Sequence, residues 1–203
     1  MMDSNPKPTN HCAAASSSST DVSLDEVRGS LGSLLLLWSD IERSARREIA
    51  RRNAPVPKPG AGFVATFGTW IKLFTEKQKD APLRAMAAQA LRVELEQQRK
   101  VRNGICHCLT GYSATSGATP ATLTWTVGGA DCSITYQDFR ARLCWLSRVP
   151  RAMSVISGSP FGGSQCRLTD NPENRTWWST EFGIDLRQSR AERPSESRSV
   201  LGS

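Results

Sequence analysis

The feature that most constrains this 203-residue chain is an apolar stripe near its start. Leu24, Val27, Leu31, Leu34, Trp38, Ile41, Ala45 and Ile49 follow one another in steps of three or four. That spacing puts all eight on one face of a helix, and a strand would scatter them over both of its faces. Ser23-Leu24-Asp25-Glu26 reads as a capping box that starts the helix. A stripe of this length demands apolar partners, so the chain is expected to be mainly α. On the far face lie Gly29, Gly32 and Leu36. Glycine inside a helix costs about 1 kcal/mol. Either the irregularity is tolerated, or another helix, from this chain or a second subunit, approaches closely there.

Further elements follow from pattern. Ala54-Pro55-Val56-Pro57-Lys58-Pro59-Gly60 reads as a stiff extended linker. A shorter helix is expected over 62–79, with Phe63, Phe67, Trp70, Ile71 and Phe74 as core. Pro82 sits at an early helical position, and a third helix runs from there to about Cys108. Residues 122–136 alternate with period two around Gly128-Gly129-Ala130-Asp131, which reads as a β-hairpin with that turn. A last helix is expected over 137–157, striped by Phe139, Leu143, Leu146 and Val149, with Pro150 able to kink it. The architecture expected is a bundle of about four helices with an inserted hairpin.

The ends differ in character. Residues 1–22, with Ser16 to Ser19 in a row, are expected to be a disordered tail. Residues 23–158 form the helical domain. Residues 159–203 are expected to be largely irregular, with Trp177-Trp178 and Phe182 docked on the domain or on a partner.

Function classes narrow by elimination. No Walker or Rossmann phosphate loop and no Gly-x-Ser-x-Gly elbow is present. Two histidines exclude a His-rich metal centre, and the six cysteines form no Cys-x-x-Cys pair. They read as reduced thiols, and no metal or cofactor is expected. The polar N-terminus carries no signal peptide, and Leu34 to Trp38 is too short a run to cross a bilayer, so a cytoplasmic protein without membrane contact is expected. A net charge of +7 favours polyanions such as RNA or DNA.

One constellation remains. Arg102-Asn103 is followed, after three residues, by His107 near the end of the third helix. With Val101 at zero on a wheel of about 100° per residue, Ile105 and Leu109 fall near 40° and 80°, on the apolar stripe. Arg102 borders that stripe, while Asn103 and His107 fall near 200° and 240°. His107 therefore points away from the core: it is a solvated side chain, a cap on the helix-end carbonyls before Gly111, or a working group.

Arg102-Asn103-Gly104-Ile105-Cys106-His107 resembles the signature of HEPN domains: Arg, a polar residue, a short spacer, then His. The layout over 23–157, a few long helices with the motif late in the bundle, is similar too. The resemblance implies a homodimer in which two motifs face a cleft. It also implies a metal-independent endoribonuclease of the toxin or defence type, with RNA as substrate and an antitoxin or regulatory protein as further partner. His107 would be general acid/base, Arg102 would hold the scissile phosphate, and Asn103 would orient one or the other. The alternative is a non-catalytic HEPN-like module for dimerisation, RNA binding or partner-protein binding. Imidazole changes charge near neutrality and guanidinium offers a fixed fork to phosphate, so the residue types suit these roles. Glu42 is expected either to pair with Arg46 one turn on or to support Arg102. Arg99, Lys100, Arg43 and Arg47 are candidates for contact with the nucleic-acid backbone.

Overall fold

The computed structural model describes residues 21–75, 81–159 and 165–186. The first helix, α1, spans Leu24–Arg51. The capping box forms as expected: the Ser23 hydroxyl accepts from the Glu26 amide, and the Glu26 carboxylate accepts from the Ser23 amide at 2.8 Å. Val27, Leu34, Trp38, Ile41, Ala45 and Ile49 are buried along its stripe. Leu24, at the stripe's start, is half exposed. Gly29 and Gly32 have nothing within 4 Å of a built Cβ, so no helix among the described residues approaches them.

Helix α2, Gly62–Thr75, and helix α3, Pro82–Cys108, follow. The expected extension of α2 to residue 79 lies outside the described residues beyond Thr75. Pro82 occupies the first turn of α3, and Leu83, Ala87, Leu91, Leu95 and Ile105 are its buried stripe. Leu109 departs from the expectation: it leaves the helix, is 40% exposed, and opens a strand.

The expected hairpin is part of a larger unit. Strands β1 (Leu109–Ser113), β2 (Thr122–Val127) and β3 (Ala130–Thr135) form an antiparallel sheet in the order β1-β2-β3. The tight turn is Gly128-Gly129 alone, and Ala130 and Asp131 already belong to β3. Both glycines have positive φ, +59° and +82°, which matches the twist of a two-residue hairpin. β1 was hidden because it continues straight from α3 with mostly exposed side chains, so no buried alternation marks it.

Helix α4, Tyr136–Ile156, starts directly from β3 on a Thr135 cap and runs on through Pro150. The region expected to be an irregular tail is ordered over much of its described length. A 3-10 turn, Gln165–Leu168, leads to helix α5, Pro172–Phe182. Trp178, Phe182, Ile184 and Leu186 join the single buried core, so Trp178 and Phe182 dock on the chain itself. Among the described residues the fold is thus five α-helices and a three-stranded sheet. α1 packs on α4 and α2, α2 packs on α3, and the sheet lies against α3.

Polar ties fix these layers. The Tyr136 hydroxyl bonds Ser30 at 2.9 Å and donates to the Glu26 carbonyl at 3.1 Å, while Tyr112 donates to the Val22 carbonyl. The carbonyl end of α4 is capped by cations: Arg84 Nε donates to Ile156 at 2.9 Å and Arg52 Nη2 to Ser157 at 3.0 Å. Burial, with the nearby Arg52 charge, lowers the affinity of Arg84 for its proton. Buried Glu48 holds α1 to α4, taking the Arg51 guanidinium at 2.6 Å and the Ser154 hydroxyl at 3.3 Å.

Candidate functional site

The motif occupies the last two turns of α3. Its inward residues set the orientation: Gly104 and Ile105 are buried, and Gly104 lies directly against the Trp125 indole of β2. With that face fixed, His107 is exposed, as the wheel requires, and hydrogen-bonds to no group among the described residues. The imidazole therefore caps no helix-end carbonyl. Arg102 is partly buried and donates from Nη1 to Asn103 Oδ1 at 3.0 Å, its only hydrogen bond among the described residues.

Arg102 and Asn103 open onto a groove of about 470 Å³. Its walls come from three helices: Leu35, Trp38, Ser39 and Glu42 on α1, Phe63 and Val64 at the start of α2, and Arg99 on α3. The sequence candidates thus divide. Glu42, Arg99, Arg102 and Asn103 share this groove, whereas His107, Lys100, Arg43 and Arg47 do not line it.

Electrostatics separates the groove charges further. Glu42 takes the pairing with Arg46, whose Nε and Nη2 both donate to Oε1, at 3.2 and 2.9 Å. Its carboxylate is neutralised there, and the Arg102 guanidinium makes no ion pair among the described residues. Arg99 grips Glu96 with Nε at 2.9 Å and Nη2 at 2.6 Å. Those hydrogen bonds hold the Glu96 carboxyl below its ordinary pKa and raise that of Arg99. The basic end of α1 is largely spent on internal pairs. Arg43 lies 3.7 Å from Asp40, Arg47 bonds Ser44 at 3.3 Å, and Arg51 pairs with Glu48. Lys100 is exposed and has no ion pair among the described residues.

Comparison with family models, with curated proteins and with solved structures finds no match to the chain. Among the described residues, no group of three or more His, Cys, Asp or Glu side chains could hold a metal ion, and no helix is long and apolar enough to cross a membrane.

Sequence pattern assigns Trp38 and Phe63 to plain core, and neither is only that, since both line the groove beside Arg102. A stripe records which face is apolar and not where the neighbouring helix stops covering it. The Gly104–Trp125 contact was signalled by a glycine inside a well-formed helix, a residue that costs stability unless something needs the room. What the arrangement offers chemically is an exposed imidazole and a guanidinium without a carboxylate partner among the described residues, on adjoining turns of one rigid helix.

Proposed function

We propose that the chain is a HEPN-like, metal-independent endoribonuclease acting as a homodimer. His107 exchanges the proton of a ribose 2′-hydroxyl or of the leaving oxygen. Arg102 binds the scissile phosphate, and Asn103, already bonded to Arg102, holds the guanidinium in position. The observation that carries the reading is the state of His107. It stands exposed without a partner among the described residues, one turn from Asn103, on a helix whose opposite side is locked into the core. Structural histidines are normally hydrogen-bonded, and this one bonds to no group among the described residues. An antitoxin or regulatory protein would act by covering this face.

A second reading, a non-catalytic HEPN-like module for dimerisation, RNA binding or partner-protein binding, draws support from His107 lying outside the Arg102 groove. Incubating purified protein with mixed RNA in chelator separates the two. The nuclease reading expects cleavage by the wild type and a loss of about 100-fold or more in His107→Ala and in Arg102→Ala, with unchanged far-UV circular dichroism. Cleavage that survives His107→Ala refutes it, and RNA bound but cut by neither protein selects the module.

A further inference from the structure

The groove beside Arg102 does not end at Phe63. A second hollow of about 220 Å³ continues between α2 and α3, floored by Phe67, Ile71 and Leu95. The two share Phe63, Val64 and Arg99 as lining residues, so they adjoin and together make a track along α2.

An aromatic ladder runs from its lining into the core. Phe63 stacks on Phe67 at 5.2 Å and 12°, Phe67 on Trp70 at 5.5 Å and 13°, and Trp70 meets Phe74 at 5.2 Å. Phe67, Trp70 and Phe74 are buried, and Phe63 is the partly exposed end, braced edge-on by Trp38 at 4.6 Å. The rim is basic. Lys72 and Arg92 are exposed without ion pairs among the described residues, and Arg99 and Arg102 follow along the track. Of the two carboxylates on the track, Glu42 is paired with Arg46 and Glu96 with Arg99, which leaves Lys72, Arg92 and Arg102 without ion pairs among the described residues. Two adjoining hollows with a partly exposed ring between them and a surplus of positive charge suit a polyanion that carries flat apolar groups.

We propose that this track takes an unpaired stretch of RNA, its phosphates on Lys72, Arg92 and Arg102 and one base stacked on Phe63. The proposal rests on RNA being the substrate, and it specifies which form. Within a duplex both faces of a base are already stacked, so a ring end of this kind selects single strands. The track leads the strand to Arg102, the residue assigned to the scissile phosphate.

The test is equilibrium binding of an end-labelled 12-nucleotide oligouridylate, and of a duplex of equal length, in the His107→Ala background so that the probe is not cut. The single strand should bind more tightly than the duplex. Phe63→Leu, which keeps apolar bulk but not the ring face, should weaken it about tenfold. Lys72→Glu with Arg92→Glu should reduce the slope of log affinity against log salt by about 1.4, at about 0.7 for each single-strand phosphate contact. Arg140→Glu, an exposed arginine of α4 outside the track, controls for net charge. Should Phe63→Leu fail to fold, the two exposed cations still decide the question. Duplex binding as tight as single-strand binding overturns the proposal, as does affinity unmoved by all three substitutions. Equal competition by oligoglutamate of the same charge also overturns it and reassigns the track to an acidic protein. Failure here is distinct from failure of the nuclease reading. Cleavage that depends on His107 but is indifferent to Phe63→Leu sinks the track alone. Track-dependent binding without His107-dependent cleavage sinks the nuclease alone.

Discussion

Gly104→Ala is ordinarily a stabilising change and should here do the reverse. In an open helix interior, alanine gains about 1 kcal/mol over glycine. A Cβ on Gly104 would sit 2.2 Å from Trp125 Nε1, 2.4 Å from Cδ1 and 2.8 Å from Cε2. Ordinary contact needs more than 3.4 Å. The indole, buried in the core, would have to move by over an ångström, or α3 would have to lift from the sheet. Overpacking costs about 1–3 kcal/mol, and a rigid ring met at three atoms belongs at the upper end. Subtracting the propensity gain leaves a net loss of about 2 kcal/mol. For a domain of this size that is a fall of about 4–8 °C in Tm. Gly29→Ala and Gly32→Ala are the controls, since nothing lies within 4 Å of either new Cβ. Each should add about 1 kcal/mol. Thermal and urea melts of the three variants, with Trp125→Leu and its double with Gly104→Ala, complete the test. The double variant should lose less than the sum of its singles. A Gly104→Ala protein that melts higher than wild type, as Gly32→Ala should, refutes the argument.

Other expectations follow from the polar ties. Arg51→Ala takes the nearest cation from the buried Glu48 carboxylate at the α1–α4 seam and should cost about 3 kcal/mol by urea melt, since the charge that stays buried loses its main compensation. Glu26, Glu96 and Asp170 all have carboxyl pKa values lowered by hydrogen bonds: Glu26 from the Ser23 amide and hydroxyl, Glu96 from Arg99, Asp170 from Arg175. A folded pKa below the unfolded one contributes stability above the unfolded value, and that contribution disappears as pH falls through the folded value. The Tm should therefore drop below about pH 4.5, and Glu96→Gln with Asp170→Asn should make that acid limb shallower. An unchanged limb would remove these pairs from the account. All three groups are close to the surface, so the effect is small and should shrink further in high salt.

The long helices were legible because burial in α1 and α3 is one-sided and caps mark their starts. Ser23 with Glu26, and Pro82, are local chemistry that tertiary packing did not override. What escaped was structure whose burial is sparse. In α5 only Asn174, Trp178 and Phe182 are buried, one residue per turn, which gives hardly any amphipathic signal. Its punctuation was nevertheless present: Asn171 caps, Pro172 follows at the first position, and Gly183 closes with φ +66°. β1 had no comparable marker, because the four-residue rhythm of Val101, Ile105 and Leu109 ran past the helix end. At the motif, the sequence placed His107 outward correctly. Glu42's choice between Arg46 and Arg102 depended on where the α1–α2 linker lies, for the Pro57 carbonyl takes Arg46 Nη1 at 2.7 Å and pins it over Glu42. Nothing in the local pattern of α1 contains that contact.

The wheel also bears on whether one chain can complete the site. Taking Gly104 and Ile105 as inward, Arg102 and His107 lie on opposite flanks of α3, about 140° apart, with Asn103 between them. Arg102 faces the α1–α2 groove, and His107 lies outside it. Two groups so divided reach one phosphodiester most directly if each comes from a different copy of the chain. Mixing inactive Arg102→Ala and inactive His107→Ala proteins tests this. In a site shared across a dimer, each mixed dimer has one site with both residues intact and one with neither. Random mixing makes half the dimers mixed, so about a quarter of wild-type cleavage should return. If both residues act from the same chain, every site carries one lesion and no activity returns. Recovery that scales with the fraction of mixed dimer, measured by re-equilibrating differently tagged proteins, establishes the shared site. Absence of recovery when mixed dimers are demonstrably present would require Arg102 and His107 to converge across the Asn103 face of a single helix.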